Sequence, residues 1–528
     1  MDTNSELRIK LIQSFHDSAM ELVLALSGGG SLVLGDLLTV AGASRTLIEA
    51  SVPYSEESLN RYIGRIPEQY CCQRTARYMA MTAFHRGIRY LRAGKMKSKN
   101  KSNHSFDVGM FNARSVDVSH DIDDTRFYAK NVADKMEEDD LDDYVNLIGV
   151  GCTASLATDR NKKGEHRFHI ATQTLRRTIV FSLQLTKDAR TRQEEERLLA
   201  DTILNAIETT RHETVSPTVS QTVLPAASSI VSVTFSTDFS TTPTPNVNVT
   251  PTVSSIDLSL PNKEPADHSL CNTFGSGTTD HFSIRKFLPL DLKPEEVICG
   301  KQTVGSPPLV ELFFGKIQAV LWQNGMIQQF KLQKNSSVLN KETPQVDDHS
   351  PVETTWAQAI FPGSFNPIHK GHLEMIDIAE HRLGSHVVLE ISIQNVDKPP
   401  LDYIELEYRL QAIEKTRTEQ AVWFTQTPLF EDKSDIFSGA TFVVGADTLR
   451  RFADLRFYHE SIHQLHDVLR LIAFHNCRFL VFARQDHHGI ESLETLKIPD
   501  MLRSLCDEIP PSVFAMNISS SDLRRNEF

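Results

Sequence analysis

The sequence predicts an α/β protein with two domains that are joined by a polar linker. Strand-like apolar runs alternate with amphipathic helix-like stretches before residue 210 and again after residue 356. This alternation is typical of sheets whose faces are covered by helices. Between the two regions lies a segment rich in Ser, Thr and Pro. The 528 residues would allow about three domains of ordinary size. Because only two domains are predicted, part of the chain is expected to lie outside a packed core.

The periodicity of apolar residues gives the order of elements within each predicted domain. In the first domain, helical stretches at 7–15, 74–91 and 192–207 alternate with strand-like runs at 21–26, 145–150 and 168–172. In the second domain, the strand-like AIFPGSF precedes the helical HLEMIDIAEHRL, and the alternation continues through VVLEISI, EYRLQAIEKT, AVWFTQ, TFVVGA and CRFLVFAR. Both patterns predict a parallel sheet whose strands are connected by crossover helices.

Changes in composition along the chain set the predicted domain boundaries. More than half of 214–261 is Ser, Thr or Pro and none of it is Lys or Arg, which predicts a disordered linker, with an edge strand as the alternative. A charged insertion at about 94–144 interrupts the first domain, 6–210. The segment 285–333 contains an Asn-Gly turn between apolar runs, which indicates a β-hairpin. The second domain is predicted to span 356–528.

Charge and hydropathy narrow the class of protein. The chain carries 55 Lys and Arg against 68 Asp and Glu, a formal net charge of −13, which excludes a broad nucleic-acid-binding surface. No apolar run is long enough to cross a membrane, and no apolar leader follows the first methionine. The seven cysteines are scattered without a CxxC pair, which indicates reduced thiols. These features predict a cytoplasmic protein, with the nucleus as a further location.

The most informative segment is FPGSFNPIHKGHL, residues 361–373. An apolar strand ends at Gly363, and His369 and His372 follow at the start of an amphipathic helix. The unpaired N–H groups and the positive dipole end of a helix start bind anions, and two histidines three residues apart can both reach a phosphate there. Gly371 allows the backbone to approach that phosphate closely. The histidine spacing alone is common on ordinary helices, but together with GSFNP it favours a phosphate site.

Two later motifs occur in the order typical of one enzyme superfamily. FVVGAD at 442–447 closes a strand, and ISSSDLR lies at 518–524. With the GSFNPIHKGH segment, they resemble the nucleotidylyltransferase superfamily, and within it the nicotinamide or nicotinate mononucleotide adenylyltransferases. This resemblance implies a Rossmann-like domain in which the 5′-phosphate of a pyridine mononucleotide attacks the α-phosphorus of ATP and pyrophosphate leaves.

The resemblance also implies a set of site residues. His369 and His372 would be catalytic, stabilising the charge that develops near the α-phosphate. The ATP phosphates would contact Gly363, Ser364, Phe365, Lys370, Gly371, Ser519, Ser520 and Arg524. The nucleoside side would involve Gly445, Asp447, Trp423 and Lys398, with core packing as the alternative for Trp423. Arg409 and Arg484 are further cations near the implied site. Mg²⁺ would accompany ATP, bound through phosphates rather than by a cage of protein ligands.

A second resemblance covers most of 7–210. Leu26–Ser31, reading LSGGGS, and the later VPYSEE at 52–57 resemble the C-terminal domain of the competence/damage-inducible family, the nicotinamide-nucleotide amidases. Ser27 aligns with the nucleophilic serine of that family and Tyr54 with its tyrosine. The family lysine falls on Leu59, so no amine is available to activate the serine. The expectation is a retained fold with a vestigial site, whose Gly-rich turn could still bind a phosphate.

The sequence therefore predicts a nucleotidyltransferase of NAD biosynthesis that acts on ATP and a pyridine mononucleotide. It leaves open whether the mononucleotide carries an amide or a carboxylate, and it leaves the oligomeric state open. Two alternatives remain: a cytidylyltransferase that acts on a phosphorylated alcohol, and a non-catalytic nucleotide-sensing scaffold. Neither nucleic acid nor a membrane is expected as a partner.

Overall fold

A computed structural model describes residues 3–102, 141–159, 163–215, 282–330, 359–394, 400–486 and 489–514. The α-helices in these ranges are α1 Thr3–His16, α2 Leu32–Thr39, α3 Glu56–Ile63, α4 Gln73–Ser102, α5 Arg192–Val215, α6 Pro307–Phe313, α7 Lys370–Leu383, α8 Tyr403–Thr416, α9 Phe430–Ile436, α10 Ala446–Phe452, α11 Ile462–Phe474 and α12 Asp500–Ser504. The strands are β1 Glu21–Ser27, β2 Leu47–Ser51, β3 Leu147–Ser155, β4 His166–Gln173, β5 Arg177–Leu185, β6 Cys299–Val304, β7 Ala319–Gln323, β8 Met326–Phe330, β9 Ala359–Pro362, β10 Val387–Ser392, β11 Val422–Thr425, β12 Thr441–Gly445, β13 Arg478–Phe482, β14 Arg484–Asp486, β15 Gly489–Glu491 and β16 Cys506–Ile509.

The first sheet is mixed rather than parallel. Its order is β2-β1-β3-β4-β5-β6, and β1 runs parallel to β2 and β3. From β3 onward each strand is antiparallel to the next, contrary to the expectation of a parallel sheet. The reason is the length of the connections: β4 and β5 are joined by only 174–176, which is too short for a crossover helix.

Helix α4 packs unusually close to β3. The two glycines of that strand, Gly149 and Gly151, face the helix, and a Cβ added to Gly151 would lie 2.2 Å from the carbonyl oxygen of Ala76. The same addition at Gly149 would come within 2.4 Å of the backbone nitrogen of Phe84. Glycine at these positions therefore allows backbone-to-backbone packing that any side chain would prevent.

The second sheet is the parallel α/β sheet that the sequence predicts. Its order is β16-β13-β12-β9-β10-β11-β7-β8, with all strands from β16 to β11 parallel. The parallel part begins at β9, continues with β10 and β11 on one side and then returns to add β12, β13 and β16 on the other. This is the doubly wound Rossmann-type order, and ligands of such sheets bind at the carboxyl ends of the strands where the winding reverses. Here that point lies between β9 and β12.

The residues between the two predicted domains contribute to both sheets. Strand β6 pairs antiparallel with β5 of the first sheet. Strands β7 and β8 form an antiparallel hairpin around Asn324 and Gly325, and β7 continues the second sheet beside β11. Of the predicted linker, Thr214 and Val215 end α5, while 216–261 lies outside the described residues. Residues 103–140 of the charged insertion also lie outside them.

One apolar cluster joins the two sheets. It contains Phe84 and Leu147 of the first domain together with Phe313, Tyr403 and Leu410, which pack with the second sheet. The two domains therefore share buried surface rather than meeting only through a linker.

Two further sequence expectations have outcomes in the structure. No helix in the described ranges is both long and apolar enough to cross a membrane. Cys71, Cys72, Cys152, Cys477 and Cys506 are free thiols. Cys299 is disulfide-bonded, so the expectation of reduced thiols fails at that position.

The close packing of α4 on β3 predicts opposite effects for two glycine substitutions. Gly151→Ala should destabilise the protein by about 1–3 kcal/mol, because the added methyl group meets backbone atoms that cannot move aside. Gly35→Ala is the matched control: this glycine lies in α2 with open space around it, so alanine should stabilise by about 0.5–1 kcal/mol. Urea unfolding monitored by circular dichroism measures both, and an unchanged midpoint for Gly151→Ala would contradict the packing.

Candidate functional site

The GSFNP loop lies where the winding of the second sheet reverses. The N–H of Gly363, directly after β9, donates to the carbonyl oxygen of Glu390 on β10 at 2.9 Å. The side chain of Phe365 is buried beneath the loop, and its ring meets those of Phe361 and His372 edge to face. Only the backbone of Phe365 is therefore available for the predicted phosphate contact, whereas the exposed Ser364 can offer its side chain as well.

His369 and His372 form a stacked pair at the start of α7. His369 is the N-cap residue of the helix and His372 occupies its first turn, with ring centroids 3.7 Å apart. The backbone N–H of His369 donates to Nδ1 of His372 at 3.3 Å, which places the proton of a neutral His372 on Nε2. Nδ1 of His369 is buried and has no hydrogen-bond partner in the part of the chain that the structure describes. Each ring therefore has a polar atom that a ligand can satisfy.

Both imidazoles are neutral at physiological pH. Burial, with smaller contributions from His369 and Arg484, lowers the pKa of His372 to about 3. Burial also lowers the pKa of His369 to about 4, again with help from Arg484. Desolvation penalises the charged form of an imidazole, so the pair acts as neutral hydrogen-bonding groups beside a fixed guanidinium charge.

The next strand ends complete the polar edge of the site. Asp447 lies in the first turn of α10, directly after β12, and Arg484 follows β13. The guanidinium of Arg484 donates to Oδ2 of Asp447 at 2.6 Å. The other carboxylate oxygen of Asp447 folds back over Gly445, where a Cβ would lie only 2.5 Å from it. A side chain at position 445 would therefore displace the carboxylate of Asp447 from this position.

The other residues of the predicted set differ in their placement. Lys370 is exposed and Gly371 is buried at the start of α7. Lys398, Ser519, Ser520 and Arg524 lie outside the described residues.

Two residues that the sequence associates with the site are internal instead. Trp423 is 3% exposed and packs against Phe437 in an apolar cluster, which is the placement that the core-packing alternative describes. Arg409 is also buried, and it is paired with Glu405 of the same helix at 3.1 Å rather than exposed to a ligand. In both cases a side chain that a linear motif suggests for binding is turned into the interior by its strand or helix face.

Sequence reasoning missed a buried ion pair beneath the strand ends. Nζ of Lys433 on α9 donates to Glu390 of β10 at 2.6 Å, and the hydroxyl of Thr425 on β11 donates to the same carboxylate oxygen at 2.5 Å. The available signal was the glutamate inside the apolar run VVLEISI, because a charged residue within a buried strand needs a partner.

The residues of the predicted vestigial site in the first domain differ strongly in their exposure to solvent. Ser27 ends β1 and is 7% exposed, whereas Tyr54 is 67% exposed. Leu59, which stands at the position of the family lysine, is buried in an apolar cluster with Ala25 and Ile63. An apolar side chain held in a core cannot activate a serine.

The Gly-rich turn after Ser27 is occupied by a carboxylate of the same chain. Glu196 of α5 accepts hydrogen bonds from the N–H of Gly30 at 3.0 Å and from the hydroxyl of Ser31 at 2.8 Å. The N–H of Leu32 points to the same carboxylate at 3.4 Å. The expectation that this turn binds a phosphate is therefore corrected: Glu196 already satisfies the donors that an anion would use.

Comparison with known proteins assigns the second domain. Residues 360–526 match the family described as cytidylyltransferase-like. This part of the chain is a cytidylyltransferase-like domain. The match supports nucleotidyl transfer with small nucleotide substrates, and the His369–His372 loop lies within it. No curated protein matches the sequence significantly.

Among solved structures, the competence/damage-inducible protein CihA from Agrobacterium tumefaciens shares 17% identity with this chain, over 39% of this chain and 93% of that one. The TM-score is 0.24.

The carboxylate and imidazole groups nearest the histidine loop already contact other side chains of this chain. Across the described ranges, no three His, Cys, Asp or Glu side chains lie together as a metal-binding group. The carboxylate of Asp447 is paired with Arg484, and the two histidines stack on each other. These side chains fit a divalent cation that arrives bound to phosphate oxygens.

The burial of the histidine pair predicts an unusual titration. Both rings should stay neutral as the pH falls from 8 to 5 and should protonate only near the lowered pKa values of about 4 and about 3. Because the unfolded rings bind protons near pH 6.5, the stability that these groups contribute is complete above that pH and is lost as the pH falls through about 4 and about 3. Imidazole carbon-bound proton signals of ¹³C-histidine-labelled protein, assigned with His369→Asn and His372→Asn, measure both titrations. Midpoints near 6.5 would contradict this prediction.

Proposed function

We propose that the chain transfers the adenylyl group of ATP to a pyridine mononucleotide, forming a dinucleotide and pyrophosphate. The observation that carries the proposal is the neutral His369–His372 pair at the start of α7, beside the guanidinium of Arg484, at the point where the sheet reverses its winding. The GSFNPIHKGH, GAD and ISSSDLR motifs add the resemblance to mononucleotide adenylyltransferases, and either the amide or the carboxylate form of the pyridine fits them.

The proposed reaction needs positioning and charge stabilisation more than a strong base. A phosphate oxygen of the mononucleotide forms a bond to the α-phosphorus of ATP, and the bond from that phosphorus to the bridging oxygen of pyrophosphate breaks. Nε2–H of His372 can donate to a phosphate oxygen without first losing or gaining a proton, since its Nδ1 is already held by the backbone. Such donors are most effective when their orientation is fixed before the reaction.

The guanidinium of Arg484 supplies the permanent positive charge in this arrangement. The carboxylate of Asp447 accepts a hydrogen bond from this guanidinium at 2.6 Å. The positive charge of Arg484 adds to the effect of burial in lowering the pKa of both histidines. A carboxylate that accepts from Arg484 can also accept from ribose hydroxyls, the role proposed for Asp447 with Gly445 beneath it. The resemblance adds Ser519, Ser520, Arg524 and Lys398 as further phosphate and nucleotide contacts. Mg²⁺ bound with ATP would supply neutralisation of phosphate charge.

A cytidylyltransferase that acts on a phosphorylated alcohol is the second candidate. The match of residues 360–526 to the cytidylyltransferase-like family favours this class of enzyme. The histidine loop itself is compatible with either ATP or CTP. A scaffold that binds nucleotide without turnover is the third. We infer in addition that the first domain has no amidase activity, a proposal supported by Leu59 in its core and Glu196 in its Gly-rich turn.

A pyrophosphate-release screen separates these candidates. ATP or CTP is combined in turn with nicotinamide mononucleotide, nicotinate mononucleotide and phosphocholine, and pyrophosphate is measured by a coupled assay with Mg²⁺ present. We expect turnover with ATP and a pyridine mononucleotide only. Turnover with CTP and phosphocholine would replace the proposal with the second candidate, and tight ATP binding without pyrophosphate release would favour the scaffold.

Removal of either histidine should abolish most of the transfer. His369→Ala and His372→Ala are each expected to lower kcat about 10²- to 10³-fold, the usual cost of losing one oriented donor to developing charge. His381→Ala is the control, because His381 is an exposed residue in the last turn of the same helix. Steady-state kinetics with both substrates saturating measures the change. Full activity in both variants would show that the site lies elsewhere.

A further inference from the structure

The first domain makes hydrogen bonds to the start of α8. The backbone N–H of Tyr403 donates to the hydroxyl of Thr178 on β5 at 3.2 Å, and the phenol of Tyr403 donates to the carbonyl oxygen of Leu175 at 2.7 Å. Gly305 lies against the same ring, where a Cβ would be 2.3 Å from it. The first turn of α8 is thus embedded in the amidase-like domain.

A guanidinium from the first domain pairs with two carboxylates of this turn. Arg77 of α4 is 3% exposed and contacts Asp402 at 2.6 Å and Glu405 at 3.2 Å. Asp402 also caps α8, because its side chain accepts from the N–H of Glu405 at 2.9 Å. A buried ion pair of this kind persists only when both charges are well satisfied, so its geometry is strongly specified.

The carboxylate of Glu405 extends this contact to the catalytic loop. Its Oε1 accepts from the side-chain amide of Asn366 at 2.5 Å and from Arg409 at 3.1 Å, while Oε2 faces Arg77. Asn366 belongs to the GSFNP loop and precedes His369 by three residues. One carboxylate therefore connects a residue of the first domain to the loop that carries the histidine pair.

The charge state of this carboxylate depends on its cationic neighbours. Burial by itself would raise the pKa of Glu405, but the charges of Arg409, Arg74 and Arg77 hold that pKa below its ordinary value. Arg409 lies on the same helix and Arg74 is more distant, at 3.8 Å. Arg77 is the cation that crosses between domains with a direct hydrogen bond.

We propose that Arg77 of the amidase-like domain is a positioning residue for nucleotidyl transfer, acting through Glu405 and Asn366 on the loop that carries His369 and His372. The first domain would then contribute to transfer by fixing the position of the GSFNP loop in the same chain, rather than by catalysing a reaction of its own. The expected change in kcat rests on the proposed transfer reaction. The expected effect on the position of the loop rests only on the contacts themselves.

The occupied turn of the first domain supports the same role. Glu196 closes the donors of its Gly-rich turn, and Leu59 replaces the amine that amidase chemistry requires. At the same time, the face of that domain that meets α8 provides further contacts besides Arg77. The hydroxyl of Thr303 donates to Glu407 at 2.7 Å, and Nζ of Lys301 lies 3.9 Å from the ring centroid of Tyr408. Several polar side chains of the first domain therefore stabilise the position of α8.

A matched pair of variants tests the proposal. Arg77→Met removes the guanidinium while keeping an unbranched apolar side chain. Arg190→Met does the same at an ion pair that is equally buried, with Glu296 at 2.7 Å and both side chains at most 2% exposed, but that lies within the first domain and away from the loop. Both variants should lose stability, so thermal unfolding alone does not distinguish them. The distinguishing measurements are kcat and KM and hydrogen–deuterium exchange of the backbone over 361–372.

Arg77→Met is expected to lower kcat about 10²-fold with a small change in KM, since a displacement of about 1 Å at a reacting group has an effect of that order. Exchange over 361–372 should rise in the same variant. Arg190→Met should leave kcat and that exchange at the wild-type level. Arg77→Lys, which keeps the charge but cannot bridge both carboxylates in the same way, should recover part of kcat.

The two readouts separate failure of this inference from failure of the proposed function. If the wild-type protein transfers no nucleotide with any substrate pair, exchange over 361–372 still reports whether Arg77 fixes the loop. Equal exchange and equal kcat in Arg77→Met and Arg190→Met would overturn the positioning role. Should either methionine variant fail to fold, Arg77→Lys and Arg190→Lys provide the same comparison, with faster loop exchange expected only in Arg77→Lys.

Discussion

The carboxylate of Glu405 is the constraint on which the arrangement of this protein depends. It is buried at the junction of the two domains and accepts from Arg77, Arg409 and Asn366. A charge in this position is costly unless each of its oxygens is satisfied, so the three donors must stay where they are. Because one donor belongs to the first domain and another to the loop of the histidine pair, the relative placement of domain and loop follows from the same requirement.

The two domains differ in what lies against a turn or helix start that exposes hydrogen-bonding groups. In the first domain, the N–H groups and hydroxyl of a Gly-rich turn bind Glu196 of the same chain. In the second, the helix start after the GSFNP loop presents two neutral imidazoles, and Nδ1 of His369 has no partner within the described part of the chain. The physical principle is common to both, since a helix or turn N-terminus attracts negative charge. The difference is whether the protein supplies that charge itself.

The neutrality of the histidine pair bears on the kind of chemistry the site suits. Stacked at 3.7 Å and largely buried, the rings would repel each other if both were charged. A neutral pair beside the fixed charge of Arg484 separates two tasks: the guanidinium provides electrostatic attraction, and the imidazoles provide direction. This division suits phosphate chemistry, in which charge is already present on the substrate and orientation limits the rate.

The α/β class, the order of the second sheet's elements and the placement of His369 and His372 at a helix start could be predicted from the sequence, because they depend on local periodicity and on the chemistry of neighbouring residues. The antiparallel half of the first sheet could not, since strand direction depends on which strands pair. Nor could the burial of Trp423 and Arg409, because a linear motif does not reveal which way a side chain faces once its element is packed.

Short segments of the sequence therefore specify the local features: the GSFNP loop, the helix that follows it and an apolar residue at position 59. The fold brings Glu196 to the Gly-rich turn of the first domain and Arg77 to Asp402 at the start of α8, pairings that span more than 150 and more than 300 residues. Nothing in a local segment specifies such partners. These partners are decided by packing, because a buried charge is stable only beside a complementary group.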